Sequence, residues 1–592
     1  MFLRKLWREK NGKQHRYWAL AETVRTAKGP RQRIVAWLGE LSETRSRSWR
    51  GLARKLTDPG AEEDDVPGLF EDDGSEAPPR IRVDTRRVRV ERTRDFGDVY
   101  LAWVLWRKLG LDRVLSDLIP PGREEIPWHQ VACLLALARF CEPSSELHIE
   151  TTWYGRSAAE DILGIAEEQV HTDRLYRGLD ELLPHKEKLE AHLKGRLGEL
   201  FPIQYDILLY DVTSTYFEGQ CKANPMAQRG HSRDQRSDCK QVCIGLVVTT
   251  EGLPLGYEVF DGNRADATTV EEIVETMEAK YGSAKRIWVM DRGMVSEENL
   301  AFLREKGAQY LVGTPKSMLR RFERELVDQG WEEVQEGLEV KLCAGPEGKE
   351  TFVLCRSRDR GAKEQAMHER FCLRIEKGLQ KMQERIGKAK RKLDQAKLER
   401  QIGRLLERNT RGAGAFQIEI QGHPALPSGL QLVWVKRPEW SQWASLSEGC
   451  YLLRTNLTGK DPRELWKTYI QLTDCEEAFR SLKSDLSIRP IYHQKEERVK
   501  AHILVAFLAY VMRRTLAEWM RTAGLGNAPQ PVIDELKRIR SVDVVLPTDT
   551  EREMRLRCVA TPEPTQRLLL DRLGLKFPRR LRPAPGASSL AV

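Results

Sequence analysis

The pattern of apolar and polar positions changes character several times along the chain. Residues 14–22 and 32–38 read as two short strands around the turn AKGPRQR, a small β-containing module. Residues 56–80 show no periodicity and carry PG, PG and PP steps, which predicts a linker. From 93 to 206 the reading is mostly helical. VYLAWVLWRKLG and HQVACLLALARFC have dense apolar faces, and Gly110 can stop the first of these helices. DRLYRGLDELLPHKEKLEAHLKGRLGEL predicts two amphipathic helices hinged at Pro184.

At residue 205 the pattern turns to strands. QYDILLYDVTSTYF, QVCIGLVVTT (241–250) and LPLGYEVFDG (253–262) are three, the last two joined by an EGLP turn. A helix over 267–281, a strand over 286–291, a helix over 296–306 and a strand over 309–314 follow. The order β-β-β-α-β-α-β describes a mixed sheet flanked by helices, an α/β core. Beyond 330, strands are expected at 338–343, 351–356, 415–420, 429–435 and 449–456. Between them 360–409 is a long charged helical stretch, a helical hairpin or short coiled coil. Residues 330–455 thus read as an insertion. Helices are expected at 461–484 and 499–520, the first with Asp461 as N-cap, Pro462 at the first position and Glu464 at the capping-box position. The end, 575–592, is Pro-rich and basic.

Composition narrows the class. The chain of 592 residues is 40% apolar and 31% charged, ordinary for a protein with several cores. No apolar run reaches the roughly eighteen residues of a membrane span, and the start has no signal-peptide core. The expected location is the cytoplasm, in association with the nucleoid. The net charge of +9 is modest, but its placement is not. Residues 1–55 hold fifteen Lys/Arg against four Asp/Glu, and 58–76 hold nine acidic residues and no basic one. A basic module followed by an acidic linker points to nucleic acid, with a solvated surface as the plainer alternative. The eleven scattered cysteines fit reduced thiols.

Two acids sit where strands predict burial. Asp211 lies inside LLYDVTSTYF, and alternation puts it on one face with Thr213 and Thr215. A carboxylate there costs several kcal/mol unless paired, hydrogen-bonded or metal-bound. Asp291 ends the strand IWVM ahead of DRGMVSEENL, at the carboxyl end of a strand, where open α/β sheets place functional groups. If the strands carrying Asp211 and Asp291 are adjacent and parallel, a divalent cation can relieve their repulsion, and oxygen ligands suit Mg²⁺ or Mn²⁺. Glu476 is the third candidate. In the helix over 461–484, Tyr469, Glu476 and Lys483 recur every seven residues and fall within about 20° of one another. Glu477 is the rival acid, and an ordinary contact between Glu476 and Arg480 is the bland alternative. Three such acids fit metal-assisted phosphoryl transfer, with Lys483 on a phosphate and Tyr469 positioning the backbone.

Taken together and in order, these motifs resemble bacterial insertion-sequence transposases of the DDE class. These have a ribonuclease-H-like core, and the subgroup in question carries an insertion before the glutamate. Its signature there is Tyr-x2-Arg-x3-Glu-x6-Lys. Tyr469, Glu476 and Lys483 match, while Leu472 stands at the arginine position, where Arg480 or Lys483 can substitute. The resemblance carries the first aspartate to Asp211 and the second to Asp291. It also includes 229–263, 482–512 and LYRGLDELLPHKEKLEAHL. It implies Asp211, Asp291 and Glu476 as catalytic metal ligands, with Mg²⁺ (Mn²⁺ as alternative) as a pair of ions. Tyr469, Lys483, Arg480 and Arg292 become DNA-contacting candidates. It further implies binding to terminal inverted repeats, cleavage at the element ends and joining of 3′-hydroxyls to target DNA, by a homodimer on double-stranded DNA and without a membrane. The alternatives are a ribonuclease-H-fold nuclease or resolvase that only hydrolyses, and a non-catalytic DNA-binding relative.

The expected partition is a basic β-containing module (1–55), an acidic linker (56–80) and a helical DNA-binding domain (81–204). The core's first part (205–330), the insertion (331–458), the core's closing helices (459–525) and a C-terminal region with a basic tail (526–592) complete it.

Overall fold

The computed structural model describes residues 2–10, 13–26, 29–39, 83–203, 205–282, 286–345, 348, 350–548 and 553–581. The linker 56–80 and the last part of the basic tail lie outside them. The chain forms two compact units. The first comprises Met1–Arg8, His15–Lys285 and Gln471–Val592, and the second Glu9–Gln14 and Arg286–Ile470.

The first unit is built on one helix, Glu496–Thr522, whose apolar residues run all the way round, so that nineteen of its 27 residues are buried. Helices Gly97–Lys108, Trp128–Cys141 and Thr172–Leu182 pack on it. The hairpin strands Gln241–Val248 and Pro254–Asp261 pair antiparallel, and Ile207–Tyr216 pairs antiparallel with the first of them. This small sheet is tied to the long helix by the Tyr257–Phe507 ring contact at 4.8 Å and by the Tyr510 hydroxyl, which donates to the Gly252 carbonyl at 3.0 Å. Gly262 ends the hairpin against backbone: a Cβ there would stand 1.9 Å from the Gln241 carbonyl oxygen, so only glycine fits.

Two further sheets belong to strands the sequence pattern shows only in part. Phe2–Lys10, Lys13–Thr26 and Gly29–Gly39 form a three-stranded sheet, one strand more than expected. Arg89–Asp95, at the edge of the stretch that reads as helical, is a strand. It pairs with Arg540–Pro547, which in turn pairs with Glu553–Val559, both antiparallel. RVERTRD carries too few apolar residues to announce itself, because it is an edge strand with a largely exposed face.

Buried beside that sheet, Asp98 has its Oδ1 on the Val99 N–H at 3.0 Å, while Oδ2 has no partner among the described residues. Burial pushes its carboxyl up to about 6, against the pull of Lys537. The folded state therefore keeps a proton that the unfolded chain loses near its ordinary value of 3.8. That contribution to stability is full below the unfolded pKa and is lost as pH rises through the folded one. Asp98→Asn is expected to stabilise the protein by roughly 2–3 kcal/mol at neutral pH and little at about pH 4. Thermal melts at the two pH values check this; equal shifts at both would exclude titration as the cause.

The second unit holds a six-stranded mixed sheet in the order Glu332–Gln335, Leu338–Ala344, Thr351–Ser357, Cys450–Thr455, Gln309–Gly313, Ile287–Met290. Only the last two strands are parallel. The stretch 331–458 thus supplies four strands to this sheet and, separately, a helical excursion. Helices Arg358–Gly387 and Gln395–Glu407 form the hairpin and close, with the strands Phe416–Gly422 and Leu430–Lys436, around a core of Ile375, Leu379, Ile386, Leu398, Ile402 and Phe416. Both units show a mixed α/β architecture of sheet and flanking helices, consistent with a ribonuclease-H-like core carrying an insertion. No helix among the described residues is long and apolar enough to cross a membrane.

Candidate active site

Asp211 sits at the middle of Ile207–Tyr216, opposite Leu246. Its neighbours Tyr210, Val212, Thr213 and Ser214 are buried, whereas Asp211 is half-buried. The Tyr210 hydroxyl donates to Thr269 Oγ1 at 2.7 Å, and the Asp211 Oδ1 accepts the Val212 N–H at 2.8 Å. Helix Leu472–Arg480 lies on this strand, with the Cys475 thiol on the Leu209 carbonyl at 3.5 Å. Burial first, and then the charges of Asp211, Asp474 and Glu476, push that thiol well above its ordinary value. Glu476 is exposed. Arg480 pairs with Glu477 at 3.6 Å, between two exposed side chains.

The single helix expected over 461–484 is broken. Pro462–Ile470 ends, Gln471 intervenes, and Leu472–Arg480 begins afresh before a π-turn over Ser481–Asp485. At the break the Asp474 N–H bonds to the Gln471 carbonyl at 2.8 Å, a tighter i→i+3 step. The heptad stripe of Tyr469, Glu476 and Lys483 assumed an unbroken 100° per residue, so it does not describe these side chains. Tyr469 belongs to the second unit, Glu476 and Lys483 to the first.

Lys483 is largely buried and donates to Asp234 Oδ1 at 2.9 Å; Arg489 pairs with the same oxygen. Beside them Arg233 pairs with Asp266, and its N–H reaches Ser214 Oγ at 3.3 Å. Burial opposes the charge of Arg233, but the bond to Asp266 and the charges of Asp266 and Asp211 outweigh it. The excursion between the first two strands of the small sheet thus brings cations toward Asp211.

In the second unit Asp291 follows the strand Ile287–Met290 and precedes the turn Arg292–Met294. Its carboxylate is exposed, and the Tyr469 hydroxyl donates to Oδ1 at 3.4 Å. Burial and the Asp291 charge push the Tyr469 hydroxyl up, so it stays a donor. A Cβ on Gly313 would stand 2.4 Å from the Tyr469 hydroxyl oxygen, so a larger residue on the parallel neighbour strand would have to displace that hydroxyl. Asp291, Arg292, Lys316, Arg360, Tyr451 and Tyr469 line a cavity of about 220 Å³.

The structure also assembles a group that no local motif announces. Glu146, His493 and His502 are buried and place ligand atoms within 4.8 Å of one another, a set able to coordinate a metal ion. These atoms have protein partners as well. His493 Nε2 lies 3.4 Å from Glu146, Arg139 lies 3.3 Å from His502 Nδ1, and His502 Nε2 lies 3.2 Å from the Ile488 carbonyl. Burial, with Arg139 and His493 beside it, holds His502 well below the usual histidine range. Burial works against the Glu146 charge, yet the His493 hydrogen bond and the two histidines keep it below the usual carboxylate range. Glu146 lies more than three hundred positions from the two histidines, so spacing alone cannot reveal the group.

The chain belongs to the transposase DDE domain family, whose profile matches residues 202–512, a span that holds Asp211, Asp291 and Glu476. The profile of the IS1634 family transposase N-terminal domain matches residues 3–65. Among solved structures, the cryo-EM structure of the piggyBac transposase synaptic complex with hairpin DNA is similar at 9% identity and a TM-score of 0.35, over 76% of this chain and 82% of that chain. A search of curated proteins found no match.

Proposed function

We propose that the chain binds the terminal inverted repeats of an insertion sequence, cleaves at the element ends and joins the 3′-hydroxyls to target DNA, as a homodimer on the DNA. The observation that carries this reading is the packing of the helix that carries Glu476 on the strand that carries Asp211, within a matched DDE domain that also includes Asp291. Double-stranded DNA is the substrate, with the basic start, the helical block and the insertion as the surfaces that hold it.

The donor set fits Mg²⁺ or Mn²⁺. It consists of carboxylates, two of them exposed, and the buried thiol of Cys475, next to Glu476 in the chain, is pushed up by burial and offers no soft ligand. Asp211, Asp291 and Glu476 are the residues that would hold the ions. When bound, a metal pair activates a water or 3′-hydroxyl and stabilises the leaving oxygen in an in-line displacement. The protein's own groups do the rest. Tyr469 fixes one oxygen of Asp291 by donating to it. Asp211 is steadied by the backbone N–H of Val212. Arg292, in the cavity wall beside Asp291, and Lys483 contact DNA phosphates.

The test is a product analysis. Full-length protein, Mg²⁺, a target plasmid and a labelled duplex made from the DNA flanking the gene should yield label covalently joined to the plasmid, with EDTA abolishing it. Cut ends without joined product would reduce the activity to hydrolysis and overturn the transfer step.

A further inference from the structure

The signature of the resembling transposases has an arginine where this chain has Leu472. Arg480, one turn after Glu476, pairs with Glu477 at 3.6 Å between two exposed side chains. The loop after the helix that carries Glu476 carries another arginine. Arg489 and Lys483 converge on a single oxygen of Asp234, whose side chain is only 5% exposed. Its other oxygen, Oδ2, is buried with no hydrogen-bond partner among the described residues.

This arrangement has a direction. Two cations and the nearby Arg233 repel one another, and the charge of Arg489 is felt at Lys483. A buried carboxylate that binds two of them at once draws them together. Asp234 is enclosed, Lys483 is 12% exposed, and Arg489 is the most open of the three at 28%. With Nη1 on Asp234 and no other partner among the described residues, the Arg489 guanidinium keeps a second donor edge, and the planar fork of arginine matches two phosphate oxygens. A carboxylate that simply occupied the place of a phosphate would need no such enclosure, since it would have to leave when DNA arrives. The enclosure of Asp234 suits a permanent anchor.

We infer that Arg489, held beside Lys483 by the buried carboxylate of Asp234, binds a phosphodiester group of the DNA strand. Asp234 is then a positioning residue. The inference rests on the DNA-processing function proposed above and adds to it a phosphate site and its organiser.

The experiment is a salt titration of binding in EDTA, by fluorescence anisotropy, with full-length protein and a fluorescein-labelled duplex with a recessed 3′-hydroxyl. Arg489→Ala should weaken binding about five- to tenfold and reduce the slope of log affinity against log salt by about 0.9, one phosphate contact. Arg489→Lys should keep the slope and recover only part of the affinity, because the charge returns without the fork. Asp234→Asn should weaken binding severalfold with the slope kept. An unchanged slope in Arg489→Ala, or the loss appearing in Arg480→Ala instead, overturns the assignment of the phosphate site. Tighter binding by Asp234→Asn overturns its role as organiser, since the carboxylate would then compete with DNA. Should Asp234→Asn fail to fold in a thermal melt, the two Arg489 variants still decide the site. Because EDTA removes free divalent metal, the result is independent of catalysis. Native protein that binds no DNA would refute the proposed function, whereas native binding with a silent Arg489→Ala would refute only this inference.

Discussion

Glu476→Gln removes Mg²⁺-dependent cleavage and joining and leaves affinity for end DNA within about twofold of the native protein, if Glu476 is a metal ligand. The substitution keeps the shape of the side chain and deletes its charge. A metal pair supplies several kcal/mol of transition-state stabilisation, and losing about 4 kcal/mol of it lowers the rate roughly a thousandfold. Binding should survive, because affinity for duplex DNA comes mainly from phosphate interactions spread over other surfaces. Folding should survive too: Glu476 is exposed, and changes at such positions cost about 0.5 kcal/mol or less. Glu477→Gln is the paired control. It is the neighbouring acid, it already has Arg480 as partner at 3.6 Å, and its loss should leave turnover near the native value. Product yield against time, with gel-shift affinity measured in parallel, gives the comparison. A fully active Glu476→Gln would sink the assignment, and so would a Glu477→Gln variant that is equally dead.

How much of this was legible in the sequence depends on the length scale of each interaction. The strand around Asp211 announces itself by a local run of β-branched and apolar residues, and so do 241–248 and 309–313; all lie within three residues of the expected bounds. The charged helical hairpin was visible for the same reason, since its periodicity is local. What failed needed distant partners. Arg89–Asp95 is a strand only because Arg540–Pro547 is there to receive it. The break at Gln471 leaves the hydrophobic pattern on either side intact, so periodicity ran straight through it. The contact of Asp234 with Lys483 and Arg489 spans about 250 positions, and the Glu146, His493 and His502 group spans more. Each residue in these groups has an ordinary local context. The acids were proposed from local burial arguments and from the resemblance. The groups that position cations beside them appeared only once the chain was folded.

Removing residues 1–55 is expected to flatten the salt dependence of DNA binding and to weaken it strongly. This stretch carries fifteen Lys/Arg against four Asp/Glu, and the matched IS1634 family N-terminal domain covers most of it. Each neutralised phosphate adds about 0.9 to the slope of log affinity against log salt, so a module that neutralises even four phosphates accounts for about 3.6 of that slope. Not every cation is available: Arg33 is engaged with Glu535 at 3.6 Å and Glu563 at 3.4 Å. Those pairs also mean that truncation uncovers part of the helix Pro529–Lys537, so a thermal melt of the truncated protein must accompany the titration. A second variant, with Arg4, Lys5, Arg8 and Lys10 changed to glutamine, keeps the module and tests charge alone. The competing outcome follows from the nine acidic residues of 58–76. If these mask the basic module, truncating 1–55 changes little, while deleting 58–76 tightens binding to random duplex. Titrating the full-length protein and these variants on end and random duplexes separates the two. An unchanged slope in both the truncated and the glutamine variants would reduce the basic start to a solvated face and withdraw it from the DNA-binding surface.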